Sequence, residues 1–373
     1  MKKALLVTIF HVPNYGSVLQ TYATQRVLEM MGLTCCVLNY DFNNSKWARD
    51  HGVKGVSLKS RIATMLGIKP IHRKKKKLQY FINKHLNITA KYCSLEEIKK
   101  NVGNKYDIYV AGSDQIWNTK YTNCDPVFLL QFVTGSDRKR ISIASSFACD
   151  KLDIKYENVF KKELGAFDGV SVREIKGQEV LQSIGIVHSH IVLDPTLLLN
   201  RNQWNELAVC PSEAKEKYIL LYMWSYAFEP RPYIYDVLQY YKEKMNCHII
   251  ALEGYDKSDE HQRALGVQDA TDSSIADFLG YFANAALVVT SSFHGTAFAI
   301  NYGVPLISVV PYGSDDRQSS LLELLSVSCC RLVVGEDIKH ANPFYDSNAE
   351  QERLDMLRND SLDWIENQIC RRK

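Results

Sequence analysis

No apolar run in this chain of 373 residues approaches the ~20 needed to cross a bilayer, which excludes a helical membrane protein. The opening stretch Ala4–Phe10 is short, stops at His11 and lacks a small-residue cleavage site, so it reads as a buried strand and not as a signal peptide. Charge of one sign is missing too. Lys and Arg number 45 against 42 acids, a net +3 that excludes an evenly spread nucleic-acid surface. The ten cysteines contain no C-x-x-C spacing, which argues against a zinc site or a disulfide framework and for free thiols in a reducing, cytoplasmic compartment. Four catalytic signatures are absent: G-x-G-x-x-G after the first strand, G-x-x-x-x-G-K-[ST], G-x-S-x-G and H-E-x-x-H. Dinucleotide oxidoreductases, P-loop NTPases, α/β-hydrolases and zinc peptidases of the usual kinds lose support.

What is there is the composition of a soluble globular protein, 46% hydrophobic and 23% charged, long enough for two domains. Short β-branched apolar runs alternate with amphipathic stretches, which predicts an α/β chain built on mostly parallel sheets. Strands are expected at 4–10, 35–40, 107–111, 140–144, 169–172 and 191–193, and again at 218–223, 248–252, 286–290 and 305–309. Helices are expected at 18–31, 232–244, 275–284 and 293–301, with a terminal one at 348–369. The polar span 197–216 reads as an interdomain connection. The expected division is 1–199, with a basic helical excursion at about 41–105, then 200–345, then a C-terminal helix in 346–373. Residues 51–105 carry a local excess of +12 and leave −9 for the rest. The run Arg73–Lys77 reads first as a solvated face and second as a patch for anionic lipid.

The most informative segment is Ser291-Ser292-Phe293-His294-Gly295-Thr296, which follows an apolar strand and opens a helix ended by Gly303. That places His294 in a first helical turn, where N–H groups and the helix dipole favour an anion and a neutral imidazole. It is read either as an acid/base or as a structural histidine bonding the loop. Gly295 removes a side chain where an anion would approach. Arg173, just past a strand, suits a carboxylate or phosphate, or simply a partner in Glu174. Asn14, Tyr15 and Gly16 in the first strand-to-helix loop offer amides and an aromatic face for a sugar. Ser113, Asp114 and Gln115 lie at another strand end, with Trp117 nearby as cleft wall or core. Arg317, after Asp315 and Asp316, could reach a cleft anion or stay in solvent.

Five segments in order resemble the polysaccharide pyruvyl transferase family: Asn14-Tyr15-Gly16-Ser17-Val18-Leu19-Gln20, Ala111–Asn118, Ser171-Val172-Arg173-Glu174, Asp194-Pro195-Thr196, and Ser292-Phe293-His294-Gly295 with Gly303-Val304-Pro305. The resemblance implies two Rossmann-like domains facing across a cleft, as in GT-B enzymes. It implies transfer of the enolpyruvyl carbon of phosphoenolpyruvate to two hydroxyls of one sugar, free or lipid-linked, giving a cyclic ketal in exopolysaccharide or capsule assembly. On that reading His294 is catalytic, and Arg173, Ser292, Phe293, Gly295 and Arg317 hold the donor. Asn14, Tyr15, Gly16, Ser113, Asp114 and Gln115 hold the acceptor. No cofactor, metal or nucleic acid is expected, and peripheral contact with the inner membrane face is. Ser292 stands where many members have arginine, so Arg317 or another cation is expected to compensate. Two other readings remain: a GT-B nucleotide-sugar glycosyltransferase, with Glu253 as its one obvious ribose ligand, and a non-catalytic saccharide-binding member of an assembly complex.

Overall fold

The computed structural model describes residues 1–52, 66, 69–312 and 317–371. Gly313, Asp315 and Asp316, and most of 53–68 within the expected basic excursion, lie outside the described residues. The chain divides into two compact units. The first comprises Met1–Ala63, Gln79–Leu198 and Leu357–Lys373, and the second Thr64–Leu78 and Leu199–Met356.

In the first unit four parallel strands, β1 (Lys3–Val7), β2 (Thr34–Val37), β3 (Ile108–Ala111) and β4 (Lys139–Ser142), lie in the order β2-β1-β3-β4. A further parallel pair, β5 (Val170–Val172) and β6 (Ser189–Ile191), joins them through the bridges Ile141 to Gly169 and Ser145 to Val172. Ala4, Leu5, Leu6 and Val7 are all buried, as a parallel strand covered on both faces requires. The chain leaves β1 to one side for β2 and crosses to the other for β3. The carboxyl ends of β1 and β3 therefore flank a topological switch point, where sheets of this kind open a crevice. The helix that follows β1 starts at Tyr15, three residues earlier than its apolar pattern indicates. Asn14 caps it, its side chain accepting from the Gly16 and Ser17 N–H groups.

In the second unit six parallel strands run in the order β12-β11-β10-β7-β8-β9. They are β7 (Tyr218–Tyr222), β8 (His248–Glu253), β9 (Val267–Asp269), β10 (Leu287–Thr290), β11 (Leu306–Val310) and β12 (Arg331–Val333). Counted within the unit this is 3-2-1-4-5-6, the doubly wound dinucleotide-type order, with its switch point between β7 and β10. Hydrophobic clusters cover the sheets, one around Leu5, Tyr109, Trp117 and Phe147 in the first unit, another around Leu221, Ile249, Val289 and Ile307 in the second.

Two expectations need amending. The span 197–216 contains a short helix, Arg201–Asn205, closed by an Asn200/Gln203 capping box and anchored by buried Trp204. Strands β9 and β12 have no counterpart in the apolar pattern; each has a single buried residue, Val267 or Leu332, so no apolar run marks it. All ten cysteines are free thiols, and among the described residues no helix is long and apolar enough to cross a membrane.

Candidate active site

Each unit gathers its sequence-nominated residues at its own switch point. In the second unit, apolar β10 ends at Thr290, and the helix Phe293–Tyr302 begins two residues later. All ten residues of that helix are buried. Ser292 occupies the N-cap but makes no side-chain capping bond; its N–H donates to Thr290 Oγ1 at 3.0 Å, and that hydroxyl donates to the Tyr222 carbonyl at 2.6 Å. The cap side chain is thus not used on the first-turn amides, the arrangement that suits an anion. His294 is 6% exposed in that first turn, edge-to-face with Phe293 at 5.4 Å. Gly295 differs from expectation. A Cβ there would strike Thr290 Oγ1 and come within 2.8 Å of Tyr222 Cδ1, so the missing side chain serves the packing of helix on sheet, not the approach of a ligand.

Arg317 opens the helix Arg317–Leu324; its guanidinium sits 6.0 Å over the Phe293 ring and donates to Tyr226 Oη at 3.1 Å. Its neighbour Gln318 fixes that helix end by donating to Ser308 Oγ at 2.8 Å, which also bonds Thr296 Oγ1 at 2.9 Å. Arg317 therefore belongs to the same cluster as His294.

Sequence reasoning missed the other half of this cluster. After β7, the Trp224 N–H donates to Ser291 Oγ at 2.9 Å, and that hydroxyl donates back to the Trp224 carbonyl at 2.8 Å, spanning the switch point. Trp224 packs edge-on against Tyr226 at 6.0 Å and lies under Lys74 Nζ, 5.6 Å from its ring centroid. Lys74 pairs with Glu253 at the end of β8. Burial pulls the Lys74 ammonium down and pushes the Glu253 carboxyl up, and each partner offsets part of the other's penalty. Arg73 and Lys77 both pair with Asp272. The run Arg73–Lys77 is accordingly no plain solvated face: Lys74 is buried, and three members, Arg73, Lys74 and Lys77, are held by acids. Trp224 and Tyr226 carried a usable signal, two aromatics just beyond a buried strand. Lys74 carried none.

In the first unit the switch point is lined by polar groups that hold one another. Ser17 Oγ donates to Asp114 Oδ2 at 2.6 Å, and Thr8 Oγ1 to the Ser113 carbonyl at 2.8 Å. Asp114 adopts φ +70°, a conformation sparse for any residue but glycine. Arg173 is not an open anion ligand here. Its side chain has no exposed surface, its Nη1 lies 2.6 Å from Asp194 Oδ2, and Asp114 and Glu174 stand at 3.6 Å. Ser113 Oγ and the Thr196 N–H and hydroxyl complete the shell of Asp194. Three carboxylates thus stand within 3.6 Å of one guanidinium.

Tyr15 is fully buried, so the aromatic face expected of the first loop is not at its surface. Ser113 and Gly16 are buried as well, and Asn14 commits its side-chain oxygen to capping. Gln115 accepts from Asn118 at 2.7 Å and is half-buried. Trp117 is core, packed on Phe147 at 5.2 Å with its indole N–H on the Phe128 carbonyl. Among the described residues no group of three or more His, Cys, Asp or Glu is set to hold a metal ion.

Solved structures share the fold at low identity. A putative UDP-N-acetylglucosamine 2-epimerase from Listeria monocytogenes is 11% identical, with TM-score 0.55, over 99% of this chain and 96% of the other. A glycosyltransferase from Rickettsia africae is 11% identical, with TM-score 0.53, over 100% of each chain. These likenesses establish an α/β architecture of two Rossmann-like domains, of the kind found in GT-B enzymes. No curated protein sequence matches the chain. The family model for polysaccharide pyruvyl transferase matches residues 14–314, with the His294 turn and the polar switch point of the first unit inside the match, and the chain belongs to that family.

Proposed function

We propose that the protein transfers the pyruvyl group of phosphoenolpyruvate to two hydroxyls of one sugar, free or lipid-linked, closing a cyclic ketal and releasing phosphate. The observation that carries this reading is His294, buried in the first turn of a helix at the switch point of a doubly wound sheet, within a chain of this family. The donor carries a phosphate and a carboxylate. The first helical turn at Phe293–Gly295, which the Ser292 side chain does not cap, and the nearby Arg317 guanidinium suit both.

The reaction balances without a cofactor. A proton adds to C3 of the donor, C2 becomes electron-poor, and the first sugar hydroxyl bonds to C2. Phosphate leaves with the C2–O electron pair, and the second hydroxyl bonds to the same carbon. Of the two hydroxyl protons, one replaces that delivered to C3 and the other ends on phosphate. An imidazole at the reacting carbon suits one of these transfers, typically worth ~10²–10⁴ in rate. For the acceptor, Asp114 is the acid of the first unit's cluster with most side-chain exposure, 12% against 4% for Glu174 and none for Asp194. It is the natural partner for sugar hydroxyls there, with Gln115 alongside; Asn14 Oδ1 and the Gly16 N–H are spent on each other in the helix cap.

The nucleotide-sugar alternative loses its ribose ligand, because Glu253 is engaged by Lys74. Incubation with phosphoenolpyruvate and candidate glycans tests the proposal. Phosphate release, with a glycan mass gain of one pyruvate less one water, is the expected result, and consumption of nucleotide sugars alone overturns it. His294→Ala should abolish release while leaving glycan binding intact; if the variant keeps the full biological role, the protein is a binder and not a catalyst.

A further inference from the structure

A buried ion pair is a weak stabiliser, since desolvation offsets the attraction and an apolar pair of the same shape often serves as well. Lys74 is nevertheless 1% exposed, brought to the carboxyl end of β8 by a segment set apart in the chain from the rest of its unit. Its ammonium is anchored by Glu253 and lies over the Trp224 ring. The indole N–H of Trp224 is buried without a hydrogen-bond partner among the described residues. Packing and the ammonium, not a hydrogen bond, therefore set the attitude of this ring. The Trp224 backbone is doubly bonded to Ser291, three residues ahead of His294.

We infer that Lys74 is a positioning residue of the second unit's site: its ammonium, held by Glu253, fixes Trp224, and Trp224 fixes through Ser291 the turn that aims His294. A cation over an indole is the strongest of the cation–ring pairs, and burial removes the water that would weaken it. The Ser292 side chain does not cap the helix turn at His294, so the Trp224–Ser291 pair adds to the restraint that Thr290 Oγ1 gives the Ser292 N–H. This accounts for a charged residue in a place where stability alone does not ask for one.

The turnover arm of the test rests on the pyruvyl-transfer reading; the fluorescence arm does not. Lys74→Met should alter the emission of Trp224, read as the difference from the same change in a Trp224→Phe background. It should lower kcat for phosphate release by roughly 10–100-fold, the usual effect of a displaced catalytic group. KM for phosphoenolpyruvate should stay within about threefold, since no donor contact is removed. Lys74→Arg, which keeps the charge and stacks on rings, should recover most of the loss. Lys74→Met/Glu253→Met removes both charges and should melt within a few degrees of the parent protein, yet remain as slow as Lys74→Met. Unchanged Trp224 emission, an unchanged kcat, a Lys74→Arg no better than Lys74→Met, or a double variant restored to full turnover would each overturn the inference. If the parent protein shows no turnover with phosphoenolpyruvate, the reaction assignment fails and the emission result alone decides the role of Lys74.

Discussion

Arg173 shows how far a residue's role depends on what surrounds it. With Asp194 at 2.6 Å and no exposed side-chain surface, the guanidinium balances buried carboxylates of its own unit. Removing one member of such a pair costs about 3–5 kcal/mol, because the other charge stays buried and uncompensated. Arg173→Ala should thus lower the urea midpoint of the first unit, with Asp194→Asn close behind. A stable Arg173→Ala with only a raised KM for the donor would return the residue to donor binding. Asp125 makes a pH prediction at the same scale. Burial raises its carboxyl to about 6, although Tyr40 Oη–H at 2.7 Å and the Val127 N–H at 2.9 Å both donate to it. The unfolded value is about 3.9, so the folded protein holds more protons between roughly pH 4 and 6. Its contribution to stability is full below that window and is lost as pH rises through it, a change on the order of 1–3 kcal/mol. Unfolding by urea at pH 4.5 and 7 should show this slope, and Asp125→Asn should flatten it. His294 was legible in the sequence because position in a first turn follows from a strand, a serine and a glycine. Of the partners of Arg173 only Glu174, its neighbour in the chain, was legible; Asp114 and Asp194 were not, since they meet it only through the packing of β3, β5 and the segment beyond β6.

At the scale of elements, the helix Phe293–Tyr302 is tied to the sheet by one missing side chain. A Cβ on Gly295 meets Thr290 Oγ1 and Tyr222 Cδ1, neither of which can retreat from the sheet beneath. Gly295→Ala should cost about 1–3 kcal/mol by overpacking and should also reduce turnover, because the helix start moves with His294. Gly303 provides the comparison. It ends the same helix at φ +67°, and a methyl group on its Cα would meet nothing nearer than 3.7 Å. Gly303→Ala should cost roughly 1–2 kcal/mol from left-handed strain and leave kcat alone. Thermal melts with phosphate-release assays on both variants separate the two effects. Elements of this kind are readable in advance when burial is complete, as in β1, β7 and β10, whose residues are apolar throughout or nearly so. The first helix is misread at its start because Tyr15, Gly16 and Ser17 look like a loop until Asn14 is seen to cap them.

For the whole molecule, the alternation of apolar and amphipathic stretches was enough to indicate parallel α/β sheets, since each strand buried on both faces leaves an unbroken apolar run. What alternation does not encode is which distant segment completes which unit. Leu357–Lys373 belongs with the first unit although it follows the second in the chain. Within that unit, Ile365 and Ile369 are buried, each worth about 1.5–3 kcal/mol. Ser361 Oγ accepts the Leu193 N–H at 3.1 Å, and the Gln368 and Ile369 carbonyls accept from Lys139 Nζ at 2.6 and 3.3 Å. Truncation after Met356 forfeits both isoleucines and takes these acceptors from a buried ammonium, at a further ~1–3 kcal/mol. The total is comparable with the ~5–15 kcal/mol that holds a whole domain together. The truncated chain should therefore lose amide-exchange protection across β1–β6 while keeping it across β7–β12, whose unit retains buried Leu354 and the bond from Gln351 Nε2 to the Ile300 carbonyl at 2.8 Å. Equal loss in both sheets would mean that the segment stabilises the entire chain, and equal retention that its contacts are dispensable.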